Sequence, residues 1–438
     1  MGRKPFNDKF LSLTKRILHL TFYALFPLTL LSISFYLLSL TPFPTIQLLQ
    51  SNTIITFNSS LSPPPPSSSA EEHKAYENSC NYYNGDWVRD MNGPLYNATT
   101  CGAIRDGQNC IKNGRPDSGY LYWRWKPSKC YLPRFEPHTF LQLIENKHIA
   151  FVGDSLARNQ LESLLCMLAT DSAPDLVYRN GKDGDREDRR WHFPSHNANF
   201  SLYWSPFLVH GIEKSDEGSY YNTMYLDQAN ERWARDVDQI DLIVVSFGHW
   251  FLSPAVFYEG HSVLGSLGCT DLNHTEIDFS VPIRKALRTT LNSIIERKAS
   301  ATAKRNGIDV IVKTFSPAHF EGDWHKGGIC PKKEPYREEK KQLGRVETEF
   351  TRIEIEEVES AKAKANAFGG LRFEVFDISQ LALLRPDGHP GLHRKPFPFA
   401  KGLPKDVHSD CVHWCLPGPI DTWNGILLEI MKKWEKQP

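Results

Sequence analysis

The chain opens on an abrupt change in its polar pattern. Residues 1–16 carry Arg3, Lys4, Lys9, Lys15 and Arg16 against Asp8 alone, and residues 17–40 then contain no charged side chain. An uncharged run of that length, rich in Leu, Ile and Phe, predicts a helix that spans a bilayer core. The positive flank keeps the tail 1–16 cytosolic and sends the remainder across, a single-pass type II arrangement. A cleaved signal peptide is the alternative, but its apolar region is usually shorter and ends at small residues. Residues 41–75 read as a stem: the run Leu61-Ser62-Pro63-Pro64-Pro65-Pro66-Ser67-Ser68-Ser69-Ala70 cannot build a core. Its prolines favour extended, solvated backbone. The folded part is expected over residues 76–438, ample for one core with a smaller lobe.

Beyond residue 145, short apolar runs alternate with longer periodic segments. Lys147-His148-Ile149-Ala150-Phe151-Val152-Gly153 reads as a buried strand, and Leu156, Leu161, Leu164, Leu165 and Leu168 share a helical spacing that predicts an amphipathic helix over 156–169. Further strands are expected at 239–247, 308–315 and 371–377, with helices at about 281–299 and 346–366. Strand–helix alternation predicts an α/β fold with a mostly parallel sheet flanked by helices. Sites in such sheets form at the carboxyl ends of strands. Ser155, Gly248-His249, Ser316-Pro317 and Asp387-Gly388-His389 each follow a predicted strand and are expected to converge.

The chemistry begins at Ser155. Gly153 permits a tight strand-to-helix turn, which sets Ser155 near a helix N-terminus, where backbone N–H groups favour a developing oxyanion. Asp154 either caps that helix or supports the loop. A serine nucleophile needs a base and an orienting acid. Asp410 and His413, in Asp410-Cys411-Val412-His413-Trp414-Cys415, are close enough in sequence to pair. With sixteen histidines in the chain, His389, His249 and His408 are rival bases, and a structural His413 packed beside Trp414 is the plain alternative. The Ser155 N–H is one oxyanion donor; Arg158, Asn159 and Gly248 are further candidates, with packing or solvation as the competing role. A zinc site around Cys411, His413 and Cys415 is disfavoured, because no second close cysteine pair accompanies it.

Composition narrows the setting. Nine cysteines are present, and Cys80, Cys101, Cys110 and Cys130 crowd the segment 76–145, which lacks long apolar runs and reads as a stapled lobe. The sequons at Asn58, Asn97, Asn199 and Asn273 suit a lumenal chain. The balance of 51 basic and 51 acidic side chains argues for neither a polyanionic acceptor nor nucleic acid. Aromatic residues suit sugar faces, which makes Trp123, Trp125, Trp204, Trp250 and Trp414 candidates among eleven tryptophans, though most tryptophans pack cores. Arg115 and Asp117 either bind sugar hydroxyls or brace the cysteine-rich lobe.

These motifs carry a resemblance. Gly153-Asp154-Ser155 and Asp410-Cys411-Val412-His413, with Asn113-Gly114-Arg115-Pro116-Asp117, Trp123-Arg124-Trp125-Lys126-Pro127, Gly248-His249-Trp250 and Leu384-Arg385-Pro386-Asp387-Gly388-His389-Pro390-Gly391 between and before them, resemble the plant trichome-birefringence-like family of Golgi polysaccharide O-acetyltransferases. The likeness covers essentially residues 76–434. It implies a fold like the SGNH/GDSL esterases, a triad of Ser155, His413 and Asp410, and a cleft or loop role for His389. It implies the disulfides Cys80–Cys130, Cys101–Cys166, Cys110–Cys415 and Cys330–Cys411, with Cys269 left over. It implies a Golgi membrane protein with a lumenal catalytic domain and a wall-polysaccharide acceptor. The segments 109–117 and 204–209 are most similar to members that acetylate the galactose side chains of xyloglucan, with glucomannan next. An acetyl donor is required, acetyl-CoA or an acetylated intermediate, supplied through a further membrane protein; no tightly bound cofactor and no metal are expected. A polysaccharide esterase and a noncatalytic glycan binder are the other classes.

Overall fold

A computed structural model describes residues 80–180, 186–215, 217–300, 307–323, 327–337, 341–400 and 408–436. The expected tail, membrane span and stem, and the sequon at Asn58, lie outside these residues. Among the described residues no helix is long and apolar enough to cross a membrane.

The cysteine-rich segment contributes β1 (Gly85–Arg89) and β2 (Trp123–Pro127), an antiparallel pair. Helix α1 (Pro137–Leu143) leads into β3 (His148–Gly153) and α2 (Ser155–Leu168). There follow β4 (Asp175–Arg179), β5 (Arg189–Phe193), β6 (Ala198–Trp204), β7 (Val209–Ile212) and β8 (Asn222–Ala229). After a short helix α3 (Glu231–Ala234) come β9 (Leu242–Ser246), β10 (Ala255–Glu259) and β11 (Ser262–Leu267). The rest is α4 (Ser280–Ala299), β12 (Ile308–Lys313), α5 (Arg345–Ala365), β13 (Leu371–Phe376), α6 (Ser379–Leu383) and α7 (Asp421–Glu435).

The main sheet runs β13-β12-β9-β3-β6-β5-β4. From β13 to β6 every neighbouring pair is parallel; β5 and β4 add an antiparallel edge. Alternate side chains of β3 explain why both faces are covered. Ile149 and Phe151 join a core with α2 and α7, whereas Ala150 and Val152 join a second core with α4 and α5. A smaller sheet, β11-β10-β8-β7, extends the second side.

The expected strands and helices are present, trimmed at their ends: 239–241 and 314–315 fall outside β9 and β12. Helix α2 differs in kind. It is not one-sided, because Arg158, Asn159, Gln160, Glu162 and Ser163 are buried along with its leucines. Its polar face is packed against the end of the chain: Gln160 Nε2 donates to Asn424 Oδ1 at 3.3 Å, and Ser163 Oγ donates to Asp421 Oδ1 at 2.6 Å. Helix α7 itself, built on Trp423, Ile426, Leu427 and Ile430, lay beyond the predicted elements.

Four disulfides staple this frame. Cys80–Cys130 closes the β1–β2 lobe and Cys101–Cys166 fastens it to α2, while Cys110–Cys415 and Cys330–Cys411 hold the segment around His413. Cys269 is buried and free, its thiol facing the Ala255 carbonyl at 3.6 Å. Asn97 and Asn273 are exposed. Asn199 is not a loop residue: it lies within β6, between β3 and β5, half-buried. Its sequon partner Ser201 is buried and faces His148 Nε2 at 2.8 Å.

Candidate active site

Ser155 is the first residue of α2, directly beyond the carboxyl end of β3, and is half-buried. The turn that presents it requires glycine. Gly153 has φ of 151°, and a Cβ there would stand 1.7 Å from the Ser246 carbonyl oxygen of β9. Asp154 is the helix cap, its Oδ1 accepting from the Leu156 N–H at 2.8 Å. That bond leaves the Ser155 N–H at the helix start, where the dipole and unpaired donors favour an anion. Burial raises the Asp154 carboxyl, opposed by the Leu156 N–H and by Lys313. Lys313, the buried last residue of β12, is itself pushed down to about 8 by burial, opposed by Asp154 and Glu354.

The Asp410–His413 pair has defined geometry. Asp410 Oδ2 accepts from His413 Nδ1 at 2.8 Å, while Oδ1 accepts the backbone N–H groups of Val412 and His413 at 3.2 and 3.0 Å. Burial alone would raise this carboxyl; the facing His413 ring and these N–H donors hold it well below the usual carboxylate range. A charged Asp410 only accepts, so the proton sits on His413 Nδ1 and the lone pair on Nε2. That Nε2 is shielded from solvent and has no hydrogen-bond partner.

Three contacts bring this loop to the serine's helix and its neighbours. Asn159, one turn after Ser155, accepts from the Trp414 N–H at 2.7 Å and donates to the Trp414 carbonyl at 3.3 Å. Trp414 Nε1 donates to Ser316 Oγ at 3.2 Å, beyond β12. His389 Nδ1 lies 2.7 Å from the His413 carbonyl. His249, beyond β9, donates through Nε2 to the Ser316 carbonyl at 3.0 Å, and burial lowers it to about 4. It is therefore a neutral ring, committed at Nε2, and among the described residues it has no carboxylate hydrogen-bonded to it as Asp410 is to His413.

Several expected roles change with burial. Asn159 spends its Oδ1 and one of its two Nδ2 hydrogens on the Trp414 peptide; the oxyanion role rests on the other hydrogen alone. Arg158 is 4 % exposed and lies 3.7 Å from Glu162, within a buried cluster that includes Arg105 and Arg189. Gly248 stands with its α-carbon against the Phe315 ring, where a Cβ would approach to 2.5 Å. Arg115 is not open to a sugar: it forms ion pairs with Asp117 and donates to the Asp387 and His389 carbonyls at 2.7 and 2.9 Å. Arg115 and Asp117 therefore brace the 387–389 turn. Trp414, Trp125 and Trp204 are buried, so none shows a face to a ligand. Trp123 is half-buried with the Arg89 guanidinium 4.1 Å from its ring, beside a cleft of about 340 Å³ that Arg124, Tyr131 and Arg134 also line. Trp250 is half-buried against Trp204 and Phe207 and stays a candidate platform. His389 follows α6 and a turn rather than a strand.

Sequence reasoning missed His319, which faces His389 at 2.7 Å; a histidine three residues after the Ser316-Pro317 strand end was the available signal. It also missed Lys313, whose signal was a charge closing the apolar run Val310-Ile311-Val312. Cys411 and Cys415, the thiols that would accompany His413 around zinc, are held in separate disulfides. Among the described residues no group of three or more His, Cys, Asp or Glu side chains is placed to hold a metal ion.

Comparison with known proteins gives two adjoining family matches. Residues 132–430 match the GDSL/SGNH-like acyl-esterase family found in Pmr5 and Cas1p, and residues 78–131 match the PMR5 N-terminal domain. Over 436 residues the chain is 56 % identical to xyloglucan O-acetyltransferase 1 of Populus trichocarpa, covering 98 % of each chain. It is 50 % identical over 386 residues to xyloglucan O-acetyltransferase 1 of Arabidopsis thaliana, covering 88 % of each. Protein trichome birefringence-like 24 of Arabidopsis thaliana is 39 % identical over 356 residues, 80 % of this chain and 81 % of that one.

Proposed function

The chain belongs to the GDSL/SGNH-like acyl-esterase family found in Pmr5 and Cas1p, within the plant trichome-birefringence-like branch, and on that premise we propose that it is a Golgi-membrane xyloglucan O-acetyltransferase acting on side-chain galactose. Support for xyloglucan comes from the Populus and Arabidopsis relatives that bear that name. Support for the chemistry comes from one observation above the others: Asp410 holds the His413 ring with its lone pair on a shielded Nε2, in a loop pinned to the helix that Ser155 begins.

The reaction runs in two displacements. His413 Nε2 takes the Ser155 proton as Oγ attacks the acetyl carbonyl of the donor, acetyl-CoA or an acetylated intermediate passed on by a membrane protein. The carbonyl oxygen becomes an oxyanion against the Ser155 N–H at the helix start. Collapse expels the donor's leaving group, which takes the proton from His413 and leaves acetyl-Ser155. A galactose hydroxyl then gives its proton to Nε2 and attacks the ester. Collapse returns the proton to Ser155 Oγ and releases the acetylated sugar. Asp410 stays charged throughout and stabilises the imidazolium formed in each half. The chain is oriented as a type II membrane protein, with this site in the lumen.

Incubation of the full-length chain with an acetyl donor and deacetylated xyloglucan, glucomannan and xylan oligosaccharides tests the reading. The expected product is xyloglucan carrying an added acetyl group on galactose, located by mass and NMR. Acetate release without acceptor-dependent product would make the protein an esterase, and transfer by Ser155→Ala would remove the nucleophile.

A further inference from the structure

Behind the catalytic loop two buried imidazoles stand in line. His389 Nδ1 is 2.7 Å from the His413 carbonyl oxygen, His389 Nε2 is 2.7 Å from His319 Nδ1, and His319 Nε2 is 2.8 Å from the Leu383 carbonyl oxygen. His319 and His389 are 8 % and 4 % exposed. The His319 backbone N–H also donates to the Cys411 carbonyl at 3.0 Å, so the pair meets the loop on both sides of Val412.

Hydrogen counting constrains this line. A carbonyl oxygen can only accept, so His389 Nδ1 and His319 Nε2 must both carry hydrogen. The contact between the rings needs a third hydrogen on one of the two facing nitrogens. Two neutral imidazoles hold two. In the neutral pair, therefore, one of the three short contacts sets lone pair against lone pair. It falls at the His413 carbonyl, between the rings, or at the Leu383 carbonyl. A single added proton converts all three into hydrogen bonds, two of them strengthened by charge.

We infer that His319 and His389 are a positioning pair for the acetyl transfer, which takes up one proton beyond its neutral complement and only then ties the His413 peptide to the Leu383 turn. The proton comes from solvent and no bond other than N–H forms. The groups around the pair come from several elements. Asp410 of the catalytic loop and Asp387 of the 386–388 turn favour the charge, although Arg385 binds Asp387 at 2.8 Å. Arg115 of the cysteine-rich lobe, paired with Asp117, and Lys341 disfavour it. Tyr336 lies beside His319, and Trp414 lies against His389 with ring centres 4.2 Å apart. Burial pushes both rings toward the neutral form, which sets the uptake on the acid side of neutrality.

Histidine-labelled full-length protein tests the proton count by 15N NMR without reference to activity. A coupling across the N–H···N contact identifies the two rings. Burial lowers His319 to about 4, so in a titration from pH 7 down to that range both outer nitrogens are expected to become protonated together; one outer nitrogen still bare at the acid end, or no coupling between rings, overturns the inference. The positioning role is read from kcat against pH. The wild type is expected to show an alkaline limb that follows loss of the third proton. His319→Phe leaves His389 with a single bond to make, so it should lose that limb, with kcat at the optimum down roughly tenfold and KM unchanged. An unaltered limb in His319→Phe refutes the positioning role; should that variant fail to fold, the wild-type NMR decides alone.

Discussion

Asn159 holds the peptide of Trp414 at both ends, accepting from its N–H at 2.7 Å and donating to its carbonyl at 3.3 Å, across 255 positions of sequence. The first turn of the helix that Ser155 begins and the loop that carries His413 are thereby fastened together.

Loss of that clamp should separate catalysis from folding. Asn159→Ala leaves the Trp414 N–H buried and unpaired, at a cost of about 1–3 kcal/mol. It also frees the loop, and kcat for acetyl transfer should fall on the order of 100-fold. Asn159→Asp keeps the acceptor but loses the donor, and should retain more activity than the alanine variant. Thermal melts and initial rates on the same preparations check both statements.

Asp410→Asn should be far more damaging to rate than to fold. The native carboxylate accepts on both oxygens, from His413 Nδ1 on one and from two backbone N–H groups on the other. Asparagine has one accepting oxygen. If it faces the backbone donors, its NH2 meets Nδ1 and drives the imidazole proton onto Nε2, where it blocks proton abstraction. Activity should fall roughly 10³–10⁴-fold, with circular dichroism unchanged.

Asp421 gives stability a pH dependence opposite to that of a paired carboxylate. Its oxygens accept from Ser163, Tyr96 and Gly418, yet burial lifts it from 3.8 to about 6. The folded state therefore binds this proton more tightly than the unfolded chain, and stability contributed below pH 4 is lost as pH rises to 6. The two-unit gap corresponds to about 3 kcal/mol. Asp421→Asn, which keeps an accepting oxygen for Ser163 and Tyr96, should flatten the dependence of Tm on pH between 4 and 6.

Glycan occupancy should divide the sequons by their place in the fold. Asn97 and Asn273 are exposed and should carry glycan when the chain is made in a secretory pathway. Asn199 lies in β6 with neighbours on both edges, and its side-chain oxygen is 3.0 Å from His192 Nδ1. It should be bare; peptide mass spectrometry after enzymatic deglycosylation in water carrying heavy oxygen reads all three.

The parallel half of the sheet was legible because β3 and β9 are buried on both faces and read as compact apolar runs, with β12 close to that; the edge strand β13 shows instead as an alternation, Leu371, Phe373 and Val375 against Arg372 and Glu374. The region between α2 and β9 was not: its strands mix Arg, Tyr and Asn with apolar positions, and β4 is exposed along its length. Ser155, Asp410 and His413 were legible as residue types; Ser155 begins α2, and Asp410 and His413 lie in the segment before α7. Roles that depend on burial were not. The clamp that Asn159 makes on the Trp414 peptide was not legible, because nothing local to α2 reveals that a segment 255 residues away lies on it. Trp125 and Trp414 look like stacking residues in sequence for the same reason; only packing shows their faces covered.

The disulfide between Cys110 and Cys415 spans 305 residues and ends two positions from His413. The strand and helix that present Ser155 leave the ribosome long before the loop that activates it. On the proposed mechanism the growing chain carries its nucleophile before its base, and oxidation of Cys110 and Cys415 fastens the last piece. On that reading chemical competence is a late event in maturation: a chain that stops short of Cys415, or that never meets oxidant, displays Ser155 without the His413 segment fastened through Cys110–Cys415.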